Sequence, residues 1–263
     1  MAIHTAEAIV LRRYPFQETS VTLSCLTDSF GKLKGLVKGL RAQPNRHRSA
    51  MEPCTVNRIV FYDTHTSQLH LISQCDLLDP LVGLQRDLQI TRLAALCVEL
   101  VETVVPLEEP QPAIYRLLKQ TLERLALGGG ELPFIRLHYI LRLMRLAGFH
   151  PQLDECASCR TPVHTTGYWS AREGGLLCQR CLHADPQAEP VSADALDACA
   201  TLSEAAQPIP VAAPLLPSLT QRLDEFLRWR LDRPLKTLEA EGPRPKAETT
   251  AASGLRPPAY GEH

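Results

Sequence analysis

The sequence has no run that approaches the ~18 consecutive apolar residues of a membrane-spanning helix. Its first residues, MAIHTAEAIVLRR, alternate polar and apolar types. They have neither the basic start and continuous apolar core of a secretory signal nor an Arg-rich transit pattern. We therefore expect a cytoplasmic protein that has no membrane partner.

The common sequence motifs of catalysis are also missing. GLVKGL lacks the Gly-x-x-x-x-Gly-Lys-Ser/Thr pattern that cradles phosphates, and neither Gly-x-Ser-x-Gly nor His-Glu-x-x-His occurs. No internal repeat is visible. The absence of these motifs argues against a P-loop nucleoside triphosphatase, a serine hydrolase and a zinc protease. We therefore expect a protein that is not an enzyme.

The first third of the chain reads as short strands. Five segments between residues 3 and 76 alternate polar and apolar side chains, which is typical of a small barrel of the OB type or of a sandwich. Within the third segment, KLKGLVKG, Gly35 and Gly39 suggest a bulge or a sharp coil. The turn TDSFG before it places Gly31 where a positive φ is needed.

From residue 81 the apolar period becomes helical. Successive patterns predict a helix ended by Pro106, a second ended by a run of glycines, and a central helix that begins at Pro133 and stops at Gly148. A last helix, SLTQRLDEFLRWRL, would have Ser218 as its N-cap. Residues 239–263 lack periodicity and are rich in Pro, Ala and polar residues, which predicts disorder.

Two Cys-x-x-Cys pairs lie between the central and last helices. They are Cys156/Cys159 and Cys178/Cys181, with 18 residues between the pairs. Two tight turns of this kind can point four thiolates at one Zn²⁺, and the spacing falls in the range of zinc sites. A closed cage leaves no open position for substrate, so the zinc would be structural rather than catalytic.

The four thiols could also serve a different chemistry. The two pairs could be redox-active, or His164 or His183 could replace one thiol. A zinc hydrolase or deaminase would need a ligand set with an open position and a nearby carboxylate. The remaining five of the nine cysteines lie singly in apolar or alternating stretches and are expected to be buried.

The net charge of −1 conceals a strongly basic segment. Residues 30–60 contain seven Lys and Arg residues and only one acidic residue, Glu52. Such a concentration is what phosphate binding requires, and the scarcity of aromatic residues there favours backbone contact over base reading. The predicted nucleic-acid contacts are Lys32, Lys34, Lys38, Arg41, Arg46 and Arg48. The alternative is a solvated basic loop on a zinc-stabilised scaffold for protein interactions.

The stretch AIVLRRYPFQETSVTLSCLTDSFGKLKGLVKGLR resembles the N-terminal signature of the RecO family of bacterial recombination mediators. The matching positions are Tyr14, Glu18, Ser20, Thr27, Gly31, Lys38-Gly39 and Arg41. The four-cysteine element and the closing helix LTQRLDEFLRWRLDRPLKTL are also similar to that family. The resemblance covers roughly residues 1–238.

This resemblance implies an α+β fold, with an N-terminal five-stranded OB-fold β-barrel followed by an α-helical domain with a four-cysteine, zinc-ribbon-like insertion. The expected segments are the barrel (1–80), the helical domain (81–153), the zinc-binding insertion (154–188), the rest of the helical domain (189–238) and the tail (239–263).

The resemblance also implies a function in DNA repair. RecO proteins bind single- and double-stranded DNA and anneal complementary strands. With RecR they help to load RecA onto strands coated by single-stranded-DNA-binding protein, whose acidic, apolar C-terminal tail the helical domain would grip. Lys38 and Arg41 are the basic positions that the resemblance carries over first, whereas Lys32 and Lys34 rest on the charge argument.

Overall fold

The computed structural model describes residues 2–16, 18, 20–38, 51–63, 69–128, 130–163, 167–231 and 233–239. The strands are β1 (Ile3–Phe16), β2 (Ser20–Thr27), β3 (Lys32–Val37), β4 (Val56–Tyr62), β5 (Leu69–Asp79), β6 (Gly167–Ser170), β7 (Gly175–Leu177) and β8 (Glu189–Val191). The α-helices are α1 (Leu88–Val104), α2 (Pro112–Leu127), α3 (Leu132–Leu146), α4 (Ala193–Glu204), α5 (Leu216–Arg230) and α6 (Lys236–Glu239). The predicted disorder of the tail beyond residue 239 falls outside the described residues.

The first five strands close into a barrel in the order β1-β2-β3-β5-β4. All neighbours are antiparallel except β3 and β5, which are parallel. Alternate side chains fill the interior, among them Val10, Leu23, Leu33, Ile59 and Ile72. The predicted five-stranded barrel is confirmed, and the sandwich is excluded.

Gly35 does not form the predicted bulge. The register of β2 with β3 runs without a shift from Val21 opposite Val37 to Leu26 opposite Lys32. A Cβ at Gly35 would overlap the side chain of Ile72, so the glycine makes room for a neighbour inside the barrel. Gly39 lies outside the described residues.

The irregularities lie on other strands. The pairing of β1 with β2 shifts between Val10 and Arg12, and the pairing of β4 with β5 shifts between Val60 and Phe61. β1 has 14 residues and pairs with both β2 and β4. A strand shared in this way must bend, and a bulge provides the bend.

Helix α1 begins later than the change of period at residue 81. A short 3₁₀ turn (Val82–Gln85) comes first, and the carboxylate of Asp87 then accepts hydrogen bonds from the amides of Gln89 and Ile90. This is an N-cap, which satisfies amides that have no partner in the helix.

The Ser218 cap is a wrong prediction. α5 begins at Leu216, with Pro217 in its first turn, so Ser218 lies within the helix. Proline is favoured at the first helical positions because its missing N–H would have no partner there. The Ser218 hydroxyl instead accepts a hydrogen bond from Arg222 Nε at 3.1 Å.

Helix α3 is the central helix, as its apolar sequence predicts. Its Tyr139 is fully buried and donates a hydrogen bond to the carbonyl of Cys97 on α1 at 2.8 Å. Outward-facing Ile9 and Leu11 of β1 belong to the same core as the helices. The barrel and the helices therefore share one continuous apolar core.

A small sheet in the order β7-β6-β8 follows α3, with one cysteine pair before β6 and the other directly after β7. Trp169 of β6 packs against Phe226 of α5, with ring centroids 6.0 Å apart. Over the described part of the chain, no helix has the length and apolar character to cross a membrane.

Candidate functional site

The four predicted thiols meet at one point. The sulfur atoms of Cys156, Cys159, Cys178 and Cys181 all lie within 4.8 Å of one another, and those of Cys159 and Cys178 are 3.7 Å apart. Four sulfurs bound tetrahedrally at about 2.3 Å from one Zn²⁺ would be about 3.8 Å from each other. The spacing of the thiols therefore fits a zinc cage.

Two tight turns hold the thiols in place. The amide of Cys156 donates to the carbonyl of Thr161 at 2.8 Å, and the amide of Arg160 donates to the carbonyl of Cys156 at 2.9 Å. In the second pair, the amide of Cys181 donates to the carbonyl of Cys178 at 2.9 Å. Arg160 takes a positive φ of 60°, which closes the first turn. Each turn brings its two sulfurs to the same side.

The surroundings of the sulfurs favour the thiolate form at some of the four cysteines and oppose it at another. Burial raises the pKa of the Cys156 thiol, but backbone amides of the two turns lower the pKa more, to a value below the usual one. Thr161 lowers the pKa of the Cys159 thiol to about 6, whereas Cys159 raises the pKa of Cys181 to about 12. Four thiolates this close repel one another, and a divalent cation removes that repulsion.

Histidine does not complete the cluster in the described structure. The ring Nδ1 of His183 lies 3.0 Å from the carbonyl of Arg180, and His164 falls outside the described residues. The cysteine cluster is the one group of Cys, His, Asp and Glu side chains found close enough to hold a metal within the described ranges. It provides four sulfur ligands, which is the set of a closed structural site.

The predicted basic strand is only partly exposed. Lys34 and Lys38 are exposed, and no ion pair joins either to another described residue. Lys32 is buried, and its ammonium donates a hydrogen bond to the carbonyl of Glu102 on α1 at 2.6 Å. Lys32 has the same strand parity as Lys34, but its ammonium bonds to α1 and its carbonyl accepts a hydrogen bond from the amide of Glu108 after that helix. Arg41, Arg46 and Arg48 fall outside the described residues.

The helices cover one side of the barrel. Glu7 of β1 accepts hydrogen bonds from the hydroxyl of Tyr115 and the ammonium of Lys119, both on α2 and both at 2.6 Å. The Ser24 hydroxyl of β2 donates to the carboxylate of Glu102 at 2.6 Å. The outer faces of β1 and β2 are therefore engaged, and the basic face that stays open begins at Lys34.

Comparison with known proteins identifies the family. A family model described as "Recombination protein O N terminal" matches residues 1–81, and one described as "Recombination protein O C terminal" matches residues 85–239. This chain belongs to the RecO family. The N-terminal match contains the barrel and the basic strand, and the C-terminal match contains the helices and the cysteine cluster.

Several curated RecO proteins are similar along most of their length. The DNA repair protein RecO of Desulforudis audaxviator is 32% identical over 241 residues, covering 92% of this chain and 85% of the relative. RecO of Bifidobacterium adolescentis is 28% identical over 246 residues, covering 90% of this chain and 98% of the relative. RecO of Moorella thermoacetica is 33% identical over 178 residues, covering 67% of this chain and 65% of the relative.

One cation near the basic strand of this RecO-family chain lies in the helical part of the sequence, outside the predicted basic segment. Arg233, between α5 and α6, is exposed, and its positive charge acts on Lys32. Burial is the main cause of the lowered pKa of Lys32, and the charges of Lys34 and Arg233 lower the pKa further. Nothing local in the sequence indicates that residue 233 comes close to β3.

Proposed function

We propose that this chain is a cytoplasmic recombination mediator in DNA repair, as the names of its relatives suggest. It binds single- and double-stranded DNA and anneals complementary strands, with no catalytic step. The observation that carries the proposal is the pair of cations Lys34 and Lys38, exposed on the open face of a closed barrel and joined by no ion pair to another described residue. Arg41, Arg46 and Arg48 follow them in the sequence and have the same sign of charge.

The proposed mechanism is electrostatic. Lysine and arginine neutralise phosphates and release condensed counterions, so two negatively charged strands can approach each other on the protein. Contacts to the sugar–phosphate chain carry no sequence information, which suits a protein that must anneal any complementary pair. The buried ammonium of Lys32 is bonded to the backbone carbonyl of Glu102, so Lys32 lies beneath this surface.

The helices provide a candidate site for a protein partner. A groove between α1, α3 and α5 is lined by apolar Leu93, Leu96 and Pro133 and by the cations Arg92 and Arg136. Arg136 is bonded to Asp224 at 2.8 Å, whereas Arg92 is exposed. An acidic, apolar peptide fits such a groove, and the tail of single-stranded-DNA-binding protein has that chemistry. With RecR as a second partner, the complex would help to load RecA.

The four cysteines would hold a structural Zn²⁺. The ion would supply folding free energy to a lobe whose own buried cluster is only Cys156, Leu177 and Cys181 among the described residues. The chain's residues turn the thiols toward one point and lower the pKa of Cys156 and Cys159. The proposed DNA-binding surface is on the barrel, so the metal would not take part in annealing.

The test is fluorescence anisotropy of labelled single strands at two salt concentrations. Reversing Lys34 and Lys38 to Glu should weaken binding and flatten the salt dependence by about one unit of slope per lost phosphate contact. Arg116→Glu makes the same charge change as either single reversal, Lys34→Glu or Lys38→Glu, at an exposed position of α2 and is the control for each.

Two outcomes would contradict the proposal. An affinity of the reversed variant equal to that of the control would favour the alternative, a scaffold for protein interactions whose basic strand is incidental. An annealing rate that does not change across a tenfold salt range would exclude the electrostatic mechanism. For the groove, Arg92→Glu should weaken binding of an acidic, apolar tail peptide and leave DNA binding unchanged.

A further inference from the structure

The last turn of α5 carries an exposed indole. Trp229 is 52% exposed, whereas the chain's other tryptophan, Trp169, is 7% exposed. The helix buries a different face, through Leu219, Leu223, Phe226 and Leu227. No hydrogen bond or ring contact holds the Trp229 side chain within the described structure. About half of a large aromatic surface is thus presented to solvent.

Positively charged residues lie on both sides of this indole in the sequence. Arg228 and Arg230 flank it in the last turn, and Arg233 and Lys236 follow, both exposed. Arg230 is fixed by a hydrogen bond from its guanidinium to the carbonyl of Glu173 at 2.9 Å. Exposed aromatic rings among cations are the usual composition of a single-strand binding surface, in which cations hold the backbone and rings stack on bases.

The chain after α5 leads back toward the barrel. The amides of Lys236 and Thr237 donate to the carboxylate of Glu99 at 2.9 and 3.0 Å, and Arg12 of β1 donates to the same carboxylate. Arg233, three residues before Lys236, acts electrostatically on Lys32 of β3. Trp229 precedes Arg233 by four residues, so their Cα atoms are at most about 14 Å apart. Lys32 and Lys236 both bond to α1, and the charges of Lys34 and Arg233 both act on Lys32, so the cations of β3 and those after α5 lie in the same part of the molecule.

We propose that a single strand held at Lys34 passes Arg233 and stacks one of its bases on Trp229. This inference rests on the proposed DNA binding and adds a base contact to it. The ligand is single-stranded because the bases of a duplex are already stacked and paired, and cannot lie flat on an exposed ring. Trp229 would thereby favour single strands over duplexes, without preference for any one base.

The experiment compares three proteins on two strands. Wild type, Trp229→Ala and Trp229→Phe are titrated against a labelled oligothymidylate and against an abasic strand of the same length. Trp229→Ala should bind the oligothymidylate about 5- to 150-fold more weakly, the range expected for stacking on one base. It should bind the abasic strand and a duplex as wild type does, and Trp229→Phe should recover most of the lost affinity.

Intrinsic fluorescence gives a second readout. Stacking should quench the emission of Trp229 on addition of oligothymidylate, and the quenching should be absent in Trp229→Ala, which retains the buried Trp169. The abasic strand should bind without quenching the wild type. A merely structural role of Trp229 would not produce this difference between the two strands.

The outcomes separate this inference from the proposed function. If wild type binds neither strand, DNA binding itself is wrong, and the inference falls with it. If wild type binds both strands and Trp229→Ala matches it on oligothymidylate, or loses equally on both strands, the stacking contact alone is overturned. Loss of a protein partner by Trp229→Ala with unchanged oligothymidylate affinity would also overturn it.

Discussion

The buried carboxylate of Glu99 accepts a hydrogen bond from the guanidinium of Arg12 at 3.3 Å, which joins α1 to β1. The same carboxylate accepts the amides of Lys236 and Thr237 and the hydroxyl of Thr237. A single side chain thus binds the barrel, the first long helix and the end of the described chain. The position of Arg233 near β3 depends on this junction.

Glu99→Gln should destabilise the protein. Glutamine has nearly the same shape as glutamate, but its NH₂ group would point at the N–H and O–H groups that now donate to Glu99. The negative charge that accepts these hydrogen bonds would be lost. We expect a decrease of about 1.5–3 kcal/mol in the free energy of unfolding, the size of one hydrogen bond to a charged group. Denaturant unfolding measures it. Glu131→Gln, on an exposed residue, is the control, and equal stability of the two variants would contradict the junction.

Gly31→Ala should be much more damaging than Gly128→Ala. Both glycines have left-handed backbones, with φ of 71° and 73°. A Cβ at Gly31 would overlap the backbone of Glu109 in the loop between α1 and α2, whereas a Cβ at Gly128 meets no described atom within 4 Å. Gly128→Ala should therefore cost about 1 kcal/mol of backbone strain. Thermal unfolding of the two variants isolates the cost of the overlap at Gly31, and similar melting temperatures would disprove it.

The contact between Glu7 and α2 should depend on pH. Burial raises the pKa of the Glu7 carboxyl, but the hydrogen bonds from Lys119 and Tyr115 lower the pKa more, to a value below the usual 4.5. The carboxylate therefore contributes stability above pH 4.5, and this contribution is lost as the pH falls through the folded-state pKa.

The Glu7→Gln variant tests this dependence. The difference in unfolding free energy between wild type and Glu7→Gln should be largest near neutral pH and should shrink below pH 4.5. Glu131→Gln, on an exposed residue, is measured over the same pH range as the control. A difference that stays constant from about pH 7 to about pH 3 would show that Glu7 acts through packing alone.

The zinc content of the purified protein should depend on the four cysteine sulfurs. We expect wild type to retain one zinc per chain. Cys156→Ser and Cys181→Ser should bind zinc more than about 10-fold more weakly, since even residues that only hydrogen-bond to a metal ligand contribute that much to the affinity. Thr161→Val, which removes the hydroxyl 3.2 Å from Cys159 Sγ, should give a smaller loss. Metal analysis of purified samples measures this, with Cys54→Ser as the control. Metal-free wild type, or zinc kept by all variants, would contradict the cage.

The barrel and the thiol cluster could be predicted from the sequence because their signals are local. The alternation of Val21, Leu23 and Cys25 marks the inner face of β2, and all three are buried in the barrel. Two residues between thiols restrict each pair to a turn, whatever the rest of the fold does. The residue bounds given in the sequence analysis for the barrel, the helical domain, the zinc-binding insertion and the tail are still predictions.

The features that the sequence did not reveal depend on distant neighbours. Lys32 and Lys34 have the same parity on β3, but only Lys32 lies under α1, so parity could not tell the buried lysine from the exposed one. The role of Gly35 depends on Ile72, which lies on another strand. The segment that carries Arg233, whose charge acts on Lys32 of the barrel, is held by hydrogen bonds to Glu99, 134 residues earlier in the sequence.

The closure of the barrel has a consequence for how other proteins can attach. In the order β1-β2-β3-β5-β4, with β4 paired back to β1, each of these five described strands has a neighbour on both sides, although β3 and β5 pair over only three residues. A partner strand therefore finds no full-length free edge in this sheet, and such an edge is a common means of capturing extended peptides. Recognition at the barrel must therefore go through side chains and loops, where single substitutions can separate one ligand from another.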